Sequence, residues 1–347
     1  MNGKKIAALA VVLLLVAGAI TFGVARNRTG AEDGDKLQVV ASFYPLYEFA
    51  KQVGGDRVAV TNLTPAGVDP HDYEVPARAL AQAQDADVFA YNGVEGFEPW
   101  ADAFLHDYQG VVVDTSHDIA LREGGHSHSH GHDDDHHDED EHHDDDHHDE
   151  RHEDDHHDDE RHEDEHDDDH HDDEMDPHYW VDPVLAQQIV NSIRDGLIEV
   201  DPDNRDLYTQ NAADYNAQLA QLDEEFEDGL AACNLDTIIT AHDAFSYAAH
   251  RYGFEVEAIA GLSHDAEPTP SRLAELTEHV REEGVAHIFF EHLASPRLAD
   301  TIARETGAET LVLDPIEGLD SDHEEEQNYL SIQRQNLANL RLALACD

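Results

Sequence analysis

The chain has 347 residues and a formal charge of −59, from 79 acidic and 20 basic side chains. This charge excludes a protein that binds nucleic acid through general phosphate contacts, and electrostatics cannot hold the chain on an anionic lipid surface. Only four of the basic residues are Lys. An acidic, Lys-poor body is typical of proteins that work in very high salt, where self-repulsion is screened. We therefore expect a halophilic source, with an ordinary acidic protein as the alternative.

The N-terminus has the pattern of a targeting signal. Two Lys lie within residues 1–5, and residues 6–25 form an uninterrupted run of 20 uncharged, mostly apolar residues. We assign residues 1–30 to either a long signal peptide or an uncleaved helix that anchors the chain in a membrane. No Cys follows the run, which excludes a lipid anchor on a processed N-terminal Cys. In either case we expect the remainder to be exported.

Alternating patterns predict a first α/β unit. Strand-type runs lie at residues 37–43, 58–63, 88–91 and 111–113, and helical patterns lie between them at 46–53, 76–84 and 100–106. Strands and helices that alternate with short connections predict a parallel sheet. His71 follows the second strand run, and ligands gather at the carboxyl ends of such strands.

Residues 126–174 form a low-complexity tract, which we call the His/Asp tract. It contains 17 His, 27 acidic residues and 2 Arg, a net −25, so the rest of the chain carries −34. Without apolar residues to form a core, the tract is expected to be disordered. One interpretation is a solvated acidic insertion. Its five His-His pairs favour another, a metal-collecting arm with many weak imidazole sites.

A purely helical stretch separates the first unit from a second one. Residues 183–199 predict a helix with Asp182 as N-cap and Pro183 at the first helical position. Residues 204–230 predict one long helix of roughly 40 Å, which suits a rigid strut between two lobes. His178 lies where the His/Asp tract ends and the first of these helices is about to begin.

The second unit has the same alternation of strand-type runs and helical patterns as the first. Strand-type runs lie at residues 237–240, 255–259, 287–290 and 310–313, and helical patterns lie between them at 244–252, 271–283 and 297–306. His242 follows the first of these strands and Asp314 follows the last. Three imidazoles and a carboxylate in a cleft between two lobes would make a good divalent-metal site. A loop His is often merely solvated, however, and no two of the four share a local motif, so the residues alone leave both interpretations open.

Cys233 and Cys346 are the only cysteines. An oxidising compartment permits a disulfide between them, and two free buried thiols are the alternative. We expect the bridge, which would join the last helix to the start of the C-terminal half.

Several motifs together resemble one transporter family. They are ASFYP at 41–45, PHDYE at 70–74, ADVFAYNG at 86–93, DPHYWVDP at 176–183, HDAFSY at 242–247, AEPTP at 266–270 and LDP at 313–315. From residue 37 to its end, apart from the His/Asp tract, the chain is similar to the zinc-binding, ZnuA-like solute-binding proteins of ABC uptake transporters, within the TroA-type cluster. A His-rich acidic loop ahead of the second ligand is typical of the zinc branch.

The resemblance and the patterns imply an α/β fold of two lobes, each with a parallel sheet and flanking helices, joined by a long rigid helix. The metal site would lie in the interlobe cleft. We expect an N-terminal lobe over residues 37–202 that contains the loop 126–174, a linking helix over 203–230, and a C-terminal lobe over 231–347.

The resemblance also implies the metal ligands. They would be His71, His178 and His242, with Asp314 supplying or supporting a fourth position. Glu291 corresponds to a family position near the cleft, where a carboxylate can fix the tautomer of a ligand. Manganese-binding relatives carry Glu where this chain has His242, and imidazole suits Zn²⁺ better than Mn²⁺.

The implied function is the high-affinity zinc-binding component of an ABC transporter at the extracellular face of the membrane. The chain would be a monomer and not an enzyme, would carry Zn²⁺ as the transported ligand, and would have a permease and its ATPase as partners. Alternatives are a manganese or broad divalent-metal binder and, in another class, a zinc-dependent hydrolase. A hydrolase needs a poised general base. Asp243 or Glu74 could be imagined in that role, but nothing in the sequence places either on a water.

The metal-collecting interpretation of the His/Asp tract predicts a zinc stoichiometry well above one per chain. Deletion of residues 126–174 is expected to lower it to about one, because only the cleft site remains. Metal analysis after equilibrium dialysis measures this ratio. An unchanged stoichiometry would remove the interpretation.

Overall fold

The computed structural model describes residues 36–124, 174–263, 268–293, 295–321 and 326–347. The predicted N-terminal signal and all but the last residue of the His/Asp tract lie outside these ranges. Across the described residues, the strands pair into two parallel sheets of four strands each. The same residues contain no helix that combines the length and the apolar character needed to cross a membrane.

The first sheet is built around a mostly apolar central pair of strands. Its strands are β1 (Leu37–Ala41), β2 (Val58–Asn62), β3 (Val88–Tyr91) and β4 (Val111–Asp114), in the order β2-β1-β3-β4. Val39 of β1 lies between Val60 and Val88 in register. Val39 and Val88 are both buried, as expected where a parallel sheet is covered on its two faces. The helices between these strands are α1 (Tyr44–Gly54), α2 (Ala77–Ala83) and α3 (Ala101–Leu105).

The second sheet has the same topology. Its strands are β5 (Thr237–Thr240), β6 (Glu255–Ala258), β7 (His287–Phe290) and β8 (Glu309–Val312), in the order β6-β5-β7-β8. The two linking helices that precede it are α4 (Pro183–Val200) and α5 (Arg205–Leu230), and its own helices are α6 (Ser246–Tyr252), α7 (Pro270–Glu283) and α8 (Arg297–Thr306). Since all strands within each sheet are parallel, their carboxyl ends meet along one edge, and chemistry is expected there.

Two linking helices lie between the sheets in the chain, and a C-terminal helix follows the second sheet. They are α4 (Pro183–Val200), α5 (Arg205–Leu230) and α9 (Tyr329–Ala343). Asp182 caps α4 by accepting hydrogen bonds from the backbone N–H groups of Val184 and Leu185, as predicted. The 26 residues of α5 span roughly 39 Å at the usual helical rise. The predicted architecture of two parallel-sheet lobes joined by a long helix is therefore confirmed.

The predicted disulfide between Cys233 and Cys346 is present. Cys233 follows the end of α5 and Cys346 follows the end of α9. The backbone N–H of Leu235 donates to the carbonyl oxygen of Leu344 at 3.0 Å, so hydrogen bonds support the covalent link. The bridge fixes the C-terminal helix to the base of the second lobe.

Loss of this disulfide is expected to destabilise the protein. The two cysteines are 113 residues apart, and closing so long a loop contributes roughly 4–5 kcal/mol by restricting the unfolded chain. Urea unfolding of the oxidised protein, the reduced protein and the double variant Cys233→Ser/Cys346→Ser measures the difference. The reduced and double-variant proteins should agree with each other. Equal masses of the alkylated protein with and without reductant would contradict the bridge.

Candidate metal centre

Three imidazoles and one carboxylate converge between the two sheets. The cluster consists of His71, His178, His242 and Glu317, whose candidate ligand atoms all lie within 4.8 Å of one another. His178, His242 and Glu317 are almost completely buried, whereas the side chain of His71 is 9% exposed. His71 therefore lies on the side of the cluster that reaches solvent.

Each histidine lies in a short segment next to a strand or helix. His71 lies in the connection after β2, where its backbone N–H donates to the Asp69 carboxylate at 2.9 Å. His178 immediately precedes the 3₁₀ helix Tyr179–Val181. His242 follows β5 by two residues. Glu317 comes from the turn after β8. The four groups therefore come from loops of both sheets and from the segment just before the 3₁₀ helix Tyr179–Val181.

Five of the six distances within the cluster are close to those around a tetrahedral ion. The Nε2 atoms of His71 and His178 are 3.1 Å apart, and those of His178 and His242 are 3.3 Å apart. Oε1 of Glu317 lies 3.1 to 3.2 Å from all three Nε2 atoms. A tetrahedral Zn²⁺ with bonds of about 2.0–2.1 Å places its ligand atoms about 3.3–3.4 Å apart. These five of the six distances lie at or slightly below that value, and the sixth, between the ligand atoms of His71 and His242, is at most 4.8 Å.

Carboxylates fix the ring orientation of the two most buried histidines. Nδ1 of His178 lies 2.7 Å from Oδ1 of Asp176, and Nδ1 of His242 lies 2.7 Å from Oε1 of Glu291. An ionised carboxylate accepts the proton on Nδ1, which leaves the Nε2 lone pair for a metal. The other oxygen of Asp176 accepts a hydrogen bond from the Ser246 hydroxyl, so the carboxylate is itself anchored to α6.

The same carboxylates change the proton affinity of the pocket. Burial acts to lower the pKa of His242, but the charges of Glu291 and Glu317 outweigh it and raise that pKa to about 9. Burial likewise opposes protonation of His178, yet the hydrogen bond to Asp176 leaves its pKa above the ordinary value. Burial also acts to raise the pKa of Glu317, but the charges of His71 and His242 hold it well below its usual range. The pocket therefore attracts positive charge.

Aromatic side chains line the cluster. The ring of Phe97 meets the His71 ring edge-on at a centroid distance of 4.8 Å, and the Trp180 ring lies 5.2 Å from that of His178. Both aromatic residues are buried. Apolar surroundings strengthen every electrostatic interaction in the pocket, because they exclude water from it.

The fourth group differs from the sequence expectation. The sequence points to Asp314, the carboxylate directly after the last strand, but the group that enters the cluster is Glu317, three residues further on. Oδ1 of Asp314 instead accepts a hydrogen bond from the backbone N–H of Ile316 at 2.7 Å. Burial raises the pKa of Asp314 to about 7. Glu291 lies at the predicted strand end, where it contacts His242 rather than the centre of the cluster.

Comparison with known proteins identifies a single family over most of the chain. Residues 39–343 match the family model described as the periplasmic component A of the zinc-uptake complex, ZnuA.

Two similar relatives carry related names. The chain is 39% identical over 333 residues to the zinc-binding lipoprotein AdcA of Streptococcus pneumoniae, which covers 95% of this chain and 60% of that protein. It is also 39% identical over 314 residues to the high-affinity zinc uptake system protein ZnuA of Bacillus subtilis, with 90% of this chain and 88% of that protein covered. The chain thus spans less than two thirds of the length of AdcA.

Solved structures show the same fold. The Zn(II)-bound ZnuA-like domain of Streptococcus pneumoniae AdcA superposes with a TM-score of 0.68 at 35% identity, covering 89% of this chain and 99% of that chain. The metal-dependent lipoprotein YcdH of Bacillus subtilis gives the same TM-score, identity and coverage.

Metal loading of the cluster is expected to release protons. A metal binds the neutral imidazole, whereas His242 with a pKa of about 9 is protonated at neutral pH in the metal-free protein. The apparent affinity for Zn²⁺ should therefore tighten as pH rises from 7 to 9, by about tenfold per pH unit for each proton displaced. Calorimetric titrations in buffers of different ionisation enthalpy count the protons.

The variant Glu291→Gln tests the same pH dependence, because it removes a charge that raises the His242 pKa. Its pH dependence should shift to lower pH, because less of the imidazole is then protonated at neutral pH. An affinity for Zn²⁺ that does not change between pH 7 and 9 would contradict this picture of the pocket.

Proposed function

Because the chain belongs to the family of periplasmic zinc-uptake components, we propose that it captures Zn²⁺ outside the cell and delivers it to the membrane permease of an ABC uptake transporter. The observation that carries the proposal is the buried cluster of three imidazoles and one carboxylate between the two lobes. Zn²⁺ is the cargo, so the protein has to bind and release the ion but does not have to catalyse a reaction at it.

The proposed ligands are Nε2 of His71, His178 and His242 and a carboxylate oxygen of Glu317. Their mutual spacing supports this set, and the Nδ1 contacts of His178 and His242 present the correct nitrogen to the ion. Three imidazoles favour Zn²⁺ over Mn²⁺, which prefers carboxylate and water oxygens. A manganese or broad divalent-metal binder is therefore the weaker candidate.

The ligand set also argues against a zinc hydrolase. A catalytic zinc site has three protein ligands and keeps one position for water. Oε1 of Glu317 lies 3.1 to 3.2 Å from all three Nε2 atoms, so an ion held by the cluster would have four protein ligands. A closed coordination sphere suits a carrier.

The remaining parts of the proposal concern assembly and location. An exported chain held at the extracellular face, by its N-terminal segment or by the permease, would meet Zn²⁺ before it crosses the membrane. Energy for transport would come from the ATPase that partners the permease. The proposed domain bounds are residues 37–202 for the N-terminal lobe, 203–230 for the linking helix and 231–347 for the C-terminal lobe.

Single substitutions of the proposed ligands are expected to weaken Zn²⁺ binding severely. The variants His71→Ala, His178→Ala, His242→Ala and Glu317→Gln should each lose more than the roughly 10–100-fold that is typical of removing an outer hydrogen-bond partner. Competition with a chromophoric zinc chelator measures the affinity, since a strong chelator keeps weak imidazole sites in residues 126–174 unloaded.

His250→Ala is the matched control, because His250 is an exposed histidine on α6. It should bind Zn²⁺ as the wild type does. Wild-type affinity in all three histidine variants of the cluster would refute the site assignment, and tighter binding of Mn²⁺ than Zn²⁺ by the wild type would refute the proposed cargo.

A further inference from the structure

The turn after β8 contains a residue in an unfavourable backbone conformation. Ile316 has a φ of 62° and is fully buried. The left-handed region is a genuine outlier for a β-branched residue, because its Cβ substituents crowd the backbone. Such a conformation persists only where the surrounding structure holds it. Ile316 immediately precedes Glu317, the proposed fourth ligand.

Asp314 holds this conformation from within the turn. Its Oδ1 accepts the backbone N–H of Ile316 at 2.7 Å. The backbone of Asp314 is in turn fixed by Asn336 of α9, which accepts from the Asp314 N–H at 2.9 Å and donates to the Asp314 carbonyl oxygen at 2.7 Å. Asn336 is buried, so water competes little for these hydrogen bonds.

Two hydrogen bonds from earlier parts of the chain hold the turn on either side of Glu317. Nε1 of Trp180 donates to the carbonyl oxygen of Pro315 at 2.7 Å. The backbone N–H of Gly67 donates to the carbonyl oxygen of Leu319 at 2.8 Å. The backbone path that leads into and out of Glu317 is therefore fixed by hydrogen bonds from α9 and from the first lobe.

The side chain of Glu317 has much less support of its own. Oε1 lies against the three Nε2 atoms. Among the described residues, Oε2 is buried and has no hydrogen-bond partner. His178 and His242, in contrast, are oriented by Asp176 and Glu291. The direction of the Glu317 carboxylate therefore depends on the backbone that carries it.

We infer that Asp314 is a positioning residue for metal binding: it holds Ile316 in the left-handed conformation that aims Glu317 at the three histidines. The inference rests on the proposed function, since it assigns a role toward the same metal site. In this role Asp314 acts indirectly. Its Oδ1 matters as a hydrogen-bond acceptor for the Ile316 N–H, and its charge does not bind the ion.

Two substitutions of Asp314 separate these roles. Asp314→Asn and Asp314→Ala remove the same charge, but the Asn side chain keeps an oxygen that can accept the Ile316 N–H. In the full-length chain, Asp314→Ala should weaken Zn²⁺ binding by about 10–100-fold, and Asp314→Asn should stay close to the wild type. Equal losses in the two variants would overturn the inference, because the charge would then be what matters.

A double-mutant cycle tests whether Asp314 acts through Glu317. In a Glu317→Gln background, Asp314→Ala should have little further effect on the Zn²⁺ affinity, because the group that it positions no longer acts as an ionised ligand. The same fold-loss in both backgrounds would show a general structural effect and overturn the inference. The absorption spectrum of bound Co²⁺ provides a second readout, since Asp314→Ala should change the coordination bands and Asp314→Asn should preserve them.

Asn336→Ala keeps the test decisive if Asp314→Ala does not fold. It removes both hydrogen bonds to the Asp314 backbone and should weaken Zn²⁺ binding in the same direction. The matched control is Asn211→Ala on α5, which removes a side-chain hydrogen bond to the Val53 carbonyl oxygen far along the chain from the turn. A similar loss of affinity in both Asn variants would overturn the inference.

The outcome for the proposed function is separate. If the wild type binds neither Zn²⁺ nor Co²⁺ at the cluster, the proposed function fails. If the wild type binds and Glu317→Gln weakens binding, while Asp314→Ala matches the wild type, only the positioning role fails.

Discussion

The structure depends on a buried arrangement of lone pairs that requires a positive charge. Nδ1 of His178 and Nδ1 of His242 each face a carboxylate, so their Nε2 lone pairs point toward each other at 3.3 Å. Oε1 of Glu317 adds a further negative group within 3.2 Å of both. In a buried pocket, such acceptors repel unless a proton or a metal lies between them. The pKa values of His178 and His242 are raised for the same reason, because a proton on either ring supplies the positive charge.

The fold meets this requirement by joining three parts of the chain at one place. The two sheets share a strand order, and their loops at the carboxyl ends supply His71, His242 and Glu317. His178 comes from the linking segment just before α4, and that segment is tied to the second lobe. Tyr329 of α9 donates to the Trp180 carbonyl oxygen at 2.6 Å, and Arg251 of α6 pairs with Asp182 at 2.6 Å. The linking segment therefore acts as part of the site.

Most of the fold could be predicted from the sequence because local signals agree with it. Strand-type runs alternate with helical patterns, and Asp182-Pro183 marks a helix start. The family resemblance adds Glu291. The strand-end rule itself brings His71, His242 and Asp314 toward one cleft, with His178 on a connection. It could not find Glu317, because the chain reverses through Ile316 after β8, and a β-branched residue is among the least expected in a left-handed conformation. Asp314 has the sequence position of a ligand but contacts the turn instead.

The proposed ligand set, drawn from both lobes, would also couple ion binding to the arrangement of the lobes. An ion that contacts His71 on one side and His242 and Glu317 on the other stabilises the closed arrangement by its own binding free energy. Separation of the lobes would break coordination bonds, so release requires something that favours the separated state by a comparable amount. Gly67 of the first lobe also donates a hydrogen bond to Leu319 in the turn that carries Glu317, so such a separation would break this backbone contact as well as the bond from His71.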